Sequence, residues 1–473
     1  MIYRSYRILG NVSDVCEVET QVNPLATPSV TATMRRWDIF CRVVDNYGDI
    51  GTCWRLARQL ADEHQAKVRL WVDDLNAFAP LCPSVVTDVA QQRIGSIEVR
   101  HWQPDFPLED VADVVIEAFA CELPASYIAA MAKQAAVPVW INLEYLSAEA
   151  WVEDCHLLES PHPTLPVKKY FFFPGFTSKT GGLLREHDLL DSRAAFDSTA
   201  QATFWREMGL PPRSDNELRI SLFCYNNPAL PELLQCWADG PDPVRVLVMP
   251  GPATAQVAEW FGTDIRRQSQ GGFPVGDSES ISNDPDRREG KAPAEPLSLP
   301  GLLGLHGPVG ASPSRESDPF LTLQEPATRL PCQDGMPPLH RNSLTVHVLP
   351  FLPQPTYDRL LWACDVNFVR GEDSFVRAQW AQRPFIWQIY PQSEGAHLVK
   401  LDAFLTRYLE NFTEHAPVRR CFQAWNGHGD MASAWRDYVA NRQSIERHGH
   451  IWAGYLDQAG NLANNLSRFV CGN

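Results

Sequence analysis

The feature that most constrains this chain is a change of hydrophobic period that recurs along it in two separate series. From Trp37, short apolar runs alternate with amphipathic segments. WDIFCRVV, KVRLWV, SIEVRHW, VADVVIEAF and VPVWINL read as buried strands. Helices fit between them, such as PASYIAAMAKQ and the stretch in which Cys53, Leu56, Ala57, Leu60 and Ala61 follow i, i+3, i+4 spacing. A second series starts near residue 217. Its strands LRISLFCY, VRVLVMPG, LTVHVLPFL, DVNFVRG and PFIWQIY alternate with the helical PALPELLQCWAD, PTYDRLLWAC and DSFVRAQWAQ. Strands that alternate with helices predict parallel sheets covered on both faces. Two such series predict two Rossmann-like domains, over 36–200 and 215–445.

The flanks read differently. Residues 1–35 have little periodicity and are expected to form a loose N-terminal extension, with Met34 as an alternative start. Residues 271–340 hold 9 Gly and 12 Pro in 70 positions and only two aromatics, Phe273 and Phe320. That composition predicts a disordered, solvent-exposed insert in a βα-to-β connection. The C-terminal SIERHGHIWAGYLDQAGNLANNLSRFV reads as a long helix over 446–473 that crosses back onto the first domain.

Composition narrows the function classes. A formal net charge of -16 argues against a general nucleic-acid binder, which needs basic faces to displace counterions. Twelve cysteines without CxxC pairs fit buried thiols in a reducing compartment, not a disulfide framework or a zinc site. No apolar run reaches membrane-spanning length, and the N-terminus lacks a signal-peptide core. The expected location is the cytoplasm, with no membrane partner. No metal-ligand spacing stands out, and the His448–His450 pair reads as a helix-surface feature.

Ligands of open α/β sheets bind beyond the carboxyl ends of strands. The loop DNYGDIG lies there in the first domain. It holds Asp45 and Asp49 with Gly48 and Gly51, a GxxG and not a dinucleotide fingerprint. Its glycines are expected to let the backbone turn into the helix. Helix capping by Asp49 and a turn role for Asp45 are the competing explanation. In the second domain, Arg370-Gly371-Glu372-Asp373-Ser374 leads from a strand into a helix. Backbone N–H groups and Ser374 there suit a diphosphate, with Arg370 as counter-charge. Glu372 does not belong in a phosphate cradle and suits a cation or a sugar hydroxyl better. Phe351 and Gln354, with Tyr225 at a similar place, suit stacking and hydrogen bonding to a pyrimidine base. Ordinary core or loop packing would also account for each of them singly.

WDIFCRVVDNYGDIGTCWRLARQLADEH together with VRGEDSFVRAQWAQRPFIWQIYPQ resembles the EarP family, protein-arginine rhamnosyltransferases that modify bacterial elongation factor P. DVVIEAFACELP, WINLEYLSAEAWVEDCH, KYFFFPGFTSKTGGLLRE and VLVMPG look like that family too. The likeness covers 37–265 and 341–470. It implies a GT-B glycosyltransferase, two Rossmann-like domains facing across a cleft, with no cofactor and no metal. The implied donor is dTDP-β-L-rhamnose, and the implied acceptor is an arginine of elongation factor P, whose modification supports translation of polyproline stretches. By motif match Asp45 is the implied general base, with Asp49 and Glu372 the other catalytic acids. Asn46, Tyr47, Gly48, Tyr225, Phe351, Gln354, Arg370, Gly371, Asp373 and Ser374 take the donor-binding places. A nucleotide-sugar epimerase of the same fold and a non-catalytic nucleotide-sugar-binding protein are the rival readings.

Overall fold

The structure is a computed structural model and describes residues 35–45, 47–103, 110–263, 322–323, 337–392 and 395–472. The expected N-terminal extension therefore lies outside the described residues, Arg35 excepted.

The first sheet is built from β1 (Arg36–Cys41), β2 (Lys67–Val72), β3 (Gln91–Ile94), β4 (Ile97–His101), β5 (Val114–Ala118), β6 (Val139–Leu143), β7 (Glu159–Pro161) and β8 (Lys168–Phe172). The second holds β9 (Leu218–Leu222) and β10 (Val244–Val248). A two-residue strand, β11 (Thr322–Leu323), returns to the first sheet beside β3. The second sheet is completed by β12 (Leu339–Arg341), β13 (Leu344–Val348), β14 (Val366–Arg370) and β15 (Phe385–Gln388). The strand orders are β11-β3-β4-β2-β1-β5-β6-β8-β7 and β12-β13-β10-β9-β14-β15. Both sheets are parallel at their centres. They turn antiparallel only where β3 pairs β4, β7 pairs β8 and β12 pairs β13. In the parallel part of each, the order reverses once, between β1 and β5 and between β9 and β14. These are the switch points at which doubly wound sheets open a crevice.

The central strands are apolar because they are buried on both faces. β5 and β9 are buried throughout. The polar exceptions are paired: Asp38 on β1 takes Arg69 of the neighbouring β2, Nε to Oδ1 at 2.6 Å. Helix Tyr47–His64 packs Ile50, Cys53, Leu56 and Leu60 into the first core. Its Thr52, Arg55 and Gln59 are buried as well, because the other side of the helix lies against the second domain and its connector.

Three expectations about boundaries change. The chain leaves the first domain before residue 200, since Leu189, Phe204, Trp205 and Met208 already join the second core. The predicted C-terminal helix is two helices, Arg442–Ala459 and Leu462–Gly472, separated at Gly460, whose φ is 93°. Ile445, Trp452 and Leu456 belong to the second core, and only Leu462, Ala463, Leu466 and Val470 pack on the first. Both crossings between domains run side by side: Leu462 N–H donates to the Leu183 carbonyl at 3.0 Å. At Gly182, where the connectors touch, an added Cβ would stand 2.2 Å from the Gly460 carbonyl oxygen. Of the 271–340 insert, only Thr322–Leu323 and residues 337–340 are described. The rest of that expectation lies outside the described residues.

His448 corrects another expectation. It is buried, not on the surface: its Nε2 lies 2.6 Å from the Tyr408 carbonyl, and its ring stacks on Phe412 at 4.3 Å. Burial lowers its pKa. His450, two residues on, is exposed.

Candidate active site

The carboxyl ends of the strands at the two switch points face each other, and the predicted polar residues emerge there. β1 delivers the loop to Asp45, and β5 leads into Phe119. β9 leads into Phe223 and Tyr225, and β14 leads into Gly371 and Glu372. Asp45 and Tyr225 touch across the cleft, with the Tyr225 hydroxyl donating to Asp45 Oδ2 at 2.6 Å. Glu372 reaches the opposite way and accepts from Leu146 N–H of the first domain at 2.9 Å. Asp49 is almost fully buried. It sits in the first turn of helix Tyr47–His64 and bends back, so that Oδ2 accepts from the N–H groups of Val44 (2.8 Å) and Asp45 (2.9 Å). This is neither a bare N-cap nor a free acid: it clamps the loop that presents Asp45. Its Oδ1 accepts from the Tyr145 hydroxyl at 3.1 Å.

The glycines of this loop do a different job from the one expected. Gly48 and Gly51 both lie inside the helix and make room. A Cβ on Gly48 would stand 2.8 Å from Asp45 Oδ2, and one on Gly51 would stand 3.3 Å from Asp373 Oδ2. Gly371 is the residue whose backbone needs glycine. Its φ is 59°, and a Cβ there would meet Asp45 Oδ2 at 2.8 Å and the Tyr225 hydroxyl at 3.0 Å.

The acids do not titrate alike. Burial pushes the Glu372 carboxyl up to about 8, helped by the nearby Asp49 and Asp373 charges and opposed by the Leu146 N–H. Burial also raises Asp49, against the hydrogen bonds it accepts from the Asp45 and Val44 amides. Burial would raise Asp373 too, but Arg377 and Arg55 hold it below the usual carboxylate range.

Behind the acids is a narrow cavity that opens to the cleft. Tyr47, Phe351, Gln354, Arg370 and Ser374 line it. Tyr47 and Phe351 pack ring to ring at 4.8 Å, one from each domain. The Arg370 guanidinium lies between Phe223 and Tyr225, 4.4 and 4.5 Å from their ring centres. Gln354 donates weakly to the Gly51 carbonyl at 3.3 Å, while its buried Oε1 has no hydrogen-bond partner. A buried acceptor without a partner costs free energy, which a donor that reached it would recover. Ser374 is committed locally: its hydroxyl accepts from Arg370 N–H at 3.0 Å and donates to the Arg370 carbonyl. Of the predicted site residues, Asn46 lies outside the described residues. The others converge on this cleft, though Tyr225 comes three residues after its strand ends and not at the end itself.

The sequence reading missed several participants. Tyr145 holds Asp49 and stacks on Phe119 at 4.4 Å. Phe119, Ala120 and Glu122, just after β5, all have positive φ, a concentration of backbone strain at a switch point. Gln388 fixes the Tyr225 backbone, accepting its N–H at 2.8 Å. Trp387 fixes Gly371, donating to its carbonyl at 2.8 Å. Each follows a strand end or sits at the carboxyl end of a strand, and that position was the available signal.

Comparison with known proteins identifies the family. The family described as Elongation-Factor P (EF-P) rhamnosyltransferase EarP matches residues 37–275 and 323–471. A protein-arginine rhamnosyltransferase of Pseudomonas putida is 42% identical, covering 92% of this chain and 98% of that protein. Its counterpart from Pseudomonas aeruginosa is 40% identical, covering 92% and 99%. A solved structure of EarP, from work on arginine glycosylation of translation elongation factor EF-P, covers 93% of this chain and 99% of its own. It is 31% identical, with a TM-score of 0.56. Two facing Rossmann-like sheets with the cleft at their switch points constitute a GT-B glycosyltransferase fold, and the chain belongs to the EarP family of protein-arginine rhamnosyltransferases.

Proposed function

We propose that this enzyme moves L-rhamnose from dTDP-β-L-rhamnose to an arginine side chain of elongation factor P, with inversion at the anomeric carbon, in the cytoplasm. The observation that carries the reading is Asp45, on a loop clamped by Asp49 and next to Glu372 of the second domain, at the rim of a cavity whose floor is Arg370 and a helix start. Anionic groups belong at the floor, because helix N-terminal amides and a guanidinium attract a diphosphate. A cation belongs at the rim, between Asp45 and Glu372. Thymine fits the Phe351 side, where its N3–H would supply the donor that Gln354 Oε1 lacks.

The chemistry follows from the acceptor. A guanidinium is a poor nucleophile: it stays protonated and its lone pairs are delocalised. Carboxylates pair with it in a fork and localise its electrons. Asp45 then takes the N–H proton as the nitrogen attacks the anomeric carbon. The C–O bond to the diphosphate breaks with its electron pair, and Arg370 and the backbone amides of 371–374 stabilise the leaving dTDP. Attack opposite the leaving group inverts the centre, as in inverting glycoside chemistry. Asp49 holds the base in place, and Glu372 faces the acceptor cation. Asp373 contributes its backbone N–H here, since its carboxylate is engaged by Arg55 and Arg377.

Intact-mass analysis of elongation factor P after incubation with enzyme and dTDP-rhamnose tests the reading. A deoxyhexose increment on one arginine is expected. An unmodified acceptor, or isomerised sugar in the absence of acceptor, would overturn it.

A further inference from the structure

The Asp373 carboxylate lines the cavity but is taken up from the other side. Its Oδ1 accepts from Arg55 Nη1 at 2.8 Å, and Oδ2 accepts from Arg377 Nε at 3.0 Å. Arg55 continues to Glu186 through two parallel bonds, Nε and Nη2 to the two carboxylate oxygens, both at 2.8 Å. Arg377 continues to Asp358 at 2.7 Å. The result is one chain of charges, Glu186–Arg55–Asp373–Arg377–Asp358. Its two arginine side chains are each 1% exposed.

This chain joins three parts that matter to the reaction. Arg55 lies on helix Tyr47–His64, six residues after Asp49, within one rigid segment. Asp373 is the residue after Glu372. Glu186 sits in the connector where the chain passes from the first domain to the second, beside the return crossing at Asn461, whose side chain donates to the Arg185 carbonyl. Two of the other contacts across the cleft, Tyr225 to Asp45 and Leu146 to Glu372, use the carboxyl groups that the acceptor needs, so they must exchange during turnover. The Arg55 contacts lie behind the cavity and compete with no substrate.

We infer that Arg55 is a positioning residue, which fixes the acids of the first domain against Glu372 of the second through the Asp373 carboxylate, and that this carboxylate serves the interdomain tie and not the donor. Close fit supports the same view: Gly51 is the residue that lets Asp373 approach the helix, and its carbonyl accepts from Gln354 of the second domain. Arginine suits the role because a planar fork spans two carboxylates at once, which a lysine ammonium cannot do in the same geometry.

The kinetic part of the test rests on the transfer reaction proposed above, so a second part does not. Arg55→Lys, Arg55→Met and Asp373→Asn are made in the full chain. For each, dTDP affinity is measured by calorimetry, and kcat and acceptor KM by rhamnosylation of elongation factor P. Amide hydrogen exchange over 47–56 and 371–377 is followed without ligands. If the inference holds, kcat per folded enzyme drops about 10–100-fold, the scale of a misplacement near 1 Å. Affinity for dTDP stays within about threefold, because uniform binding is untouched. Arg55→Lys retains more rate than Arg55→Met, and exchange rises in both segments. Lower thermal stability with unchanged kcat would reduce the network to a structural role and overturn the proposal. So would a loss of dTDP affinity in Asp373→Asn that Arg55→Lys does not share, since Asp373 would then be a donor ligand. If wild type binds dTDP yet transfers no sugar, the transferase reading fails. The exchange data still decide the tie, and unchanged protection in all three variants refutes it. If Arg55→Met does not fold, Arg55→Lys and Asp373→Asn carry the same comparison.

Discussion

Glu372 should make the free enzyme less stable as pH rises, and Glu372→Gln should relieve this. The folded protein holds this carboxyl near 8, whereas an unfolded glutamate ionises near 4.3. Below the unfolded value both states are protonated, and the difference contributes nothing adverse. Above it the unfolded chain ionises freely while the folded one resists, so stability is lost progressively until pH passes the folded value. The full span, from about 4.3 to about 8 at about 1.4 kcal/mol per pH unit, sets a ceiling of about 5 kcal/mol. Glu372 is only half-buried, and water entering the cleft screens part of that cost, leaving about 2 kcal/mol. Glutamine has the same shape and still accepts the Leu146 N–H, so the substitution isolates the charge. Melting curves of both proteins are recorded without ligands at pH 5 and pH 9. The two should melt together at pH 5, and the variant should melt about 4 °C higher at pH 9, since about 2 kcal/mol moves a domain of this size by a few degrees. Titrating groups that do not interact with Glu372 are common to both proteins and cancel. A gap that is the same at both pH values, or a variant that melts lower at pH 9, would refute the reasoning. The gain in stability should come with a loss of turnover, as expected of an acid kept for function at a cost to the fold.

Four further outcomes follow from the same geometry. Asp45→Asn should lower kcat by about 10²–10⁴-fold, the worth of a positioned general base, with dTDP affinity kept in calorimetry and an unchanged melting profile. Gly48→Ala should leave the fold intact or slightly firmer, since alanine is the better helix residue by about 0.5–1 kcal/mol, yet reduce kcat because its Cβ displaces the Asp45 carboxylate; full activity in a folded variant would contradict this. Gln354→Ala should raise the donor KM with most of kcat recovered at saturating donor, and a rate that saturation cannot restore would remove Gln354 from nucleotide binding. Deleting residues 276–321, which fall between the two stretches that match the family, should leave donor binding and turnover near wild type in the same assays.

What the sequence made legible follows the physics of each signal. The central strands stood out because burial on both faces leaves an uninterrupted apolar run, as in VRVLV of β10, in which only Arg245 is not fully buried. The antiparallel edges β3, β7 and β12 did not stand out: QQRI, ESP and LHR are short and polar, as edges must be, and carry no period. The break at Gly460 was hidden because the apolar pattern resumes in step on both sides of it, although the two halves bury against different cores. The acids of the site were legible for the opposite reason. Asp45, Asp49 and Glu372 follow apolar strands at the ends where such sheets bind ligands, so unpaired charge there called for an explanation. Their partners were not legible. Tyr145, Arg55 and Asp373 take their roles from residues more than ninety positions away, and a charge on a helix reads as solvated until another domain is known to cover it. The same covering explains the division of labour among five neighbouring carboxylates. Asp373 and Glu186 are neutralised by the two arginines behind the cavity and are spent on geometry. Asp45 and Glu372 form no ion pair among the described residues, and Asp49 clamps the loop that presents Asp45, so an arriving guanidinium can pair with the first two. The fold thus separates acids that hold the domains from acids that hold the substrate, and the side of the cavity on which the arginines lie decides which is which.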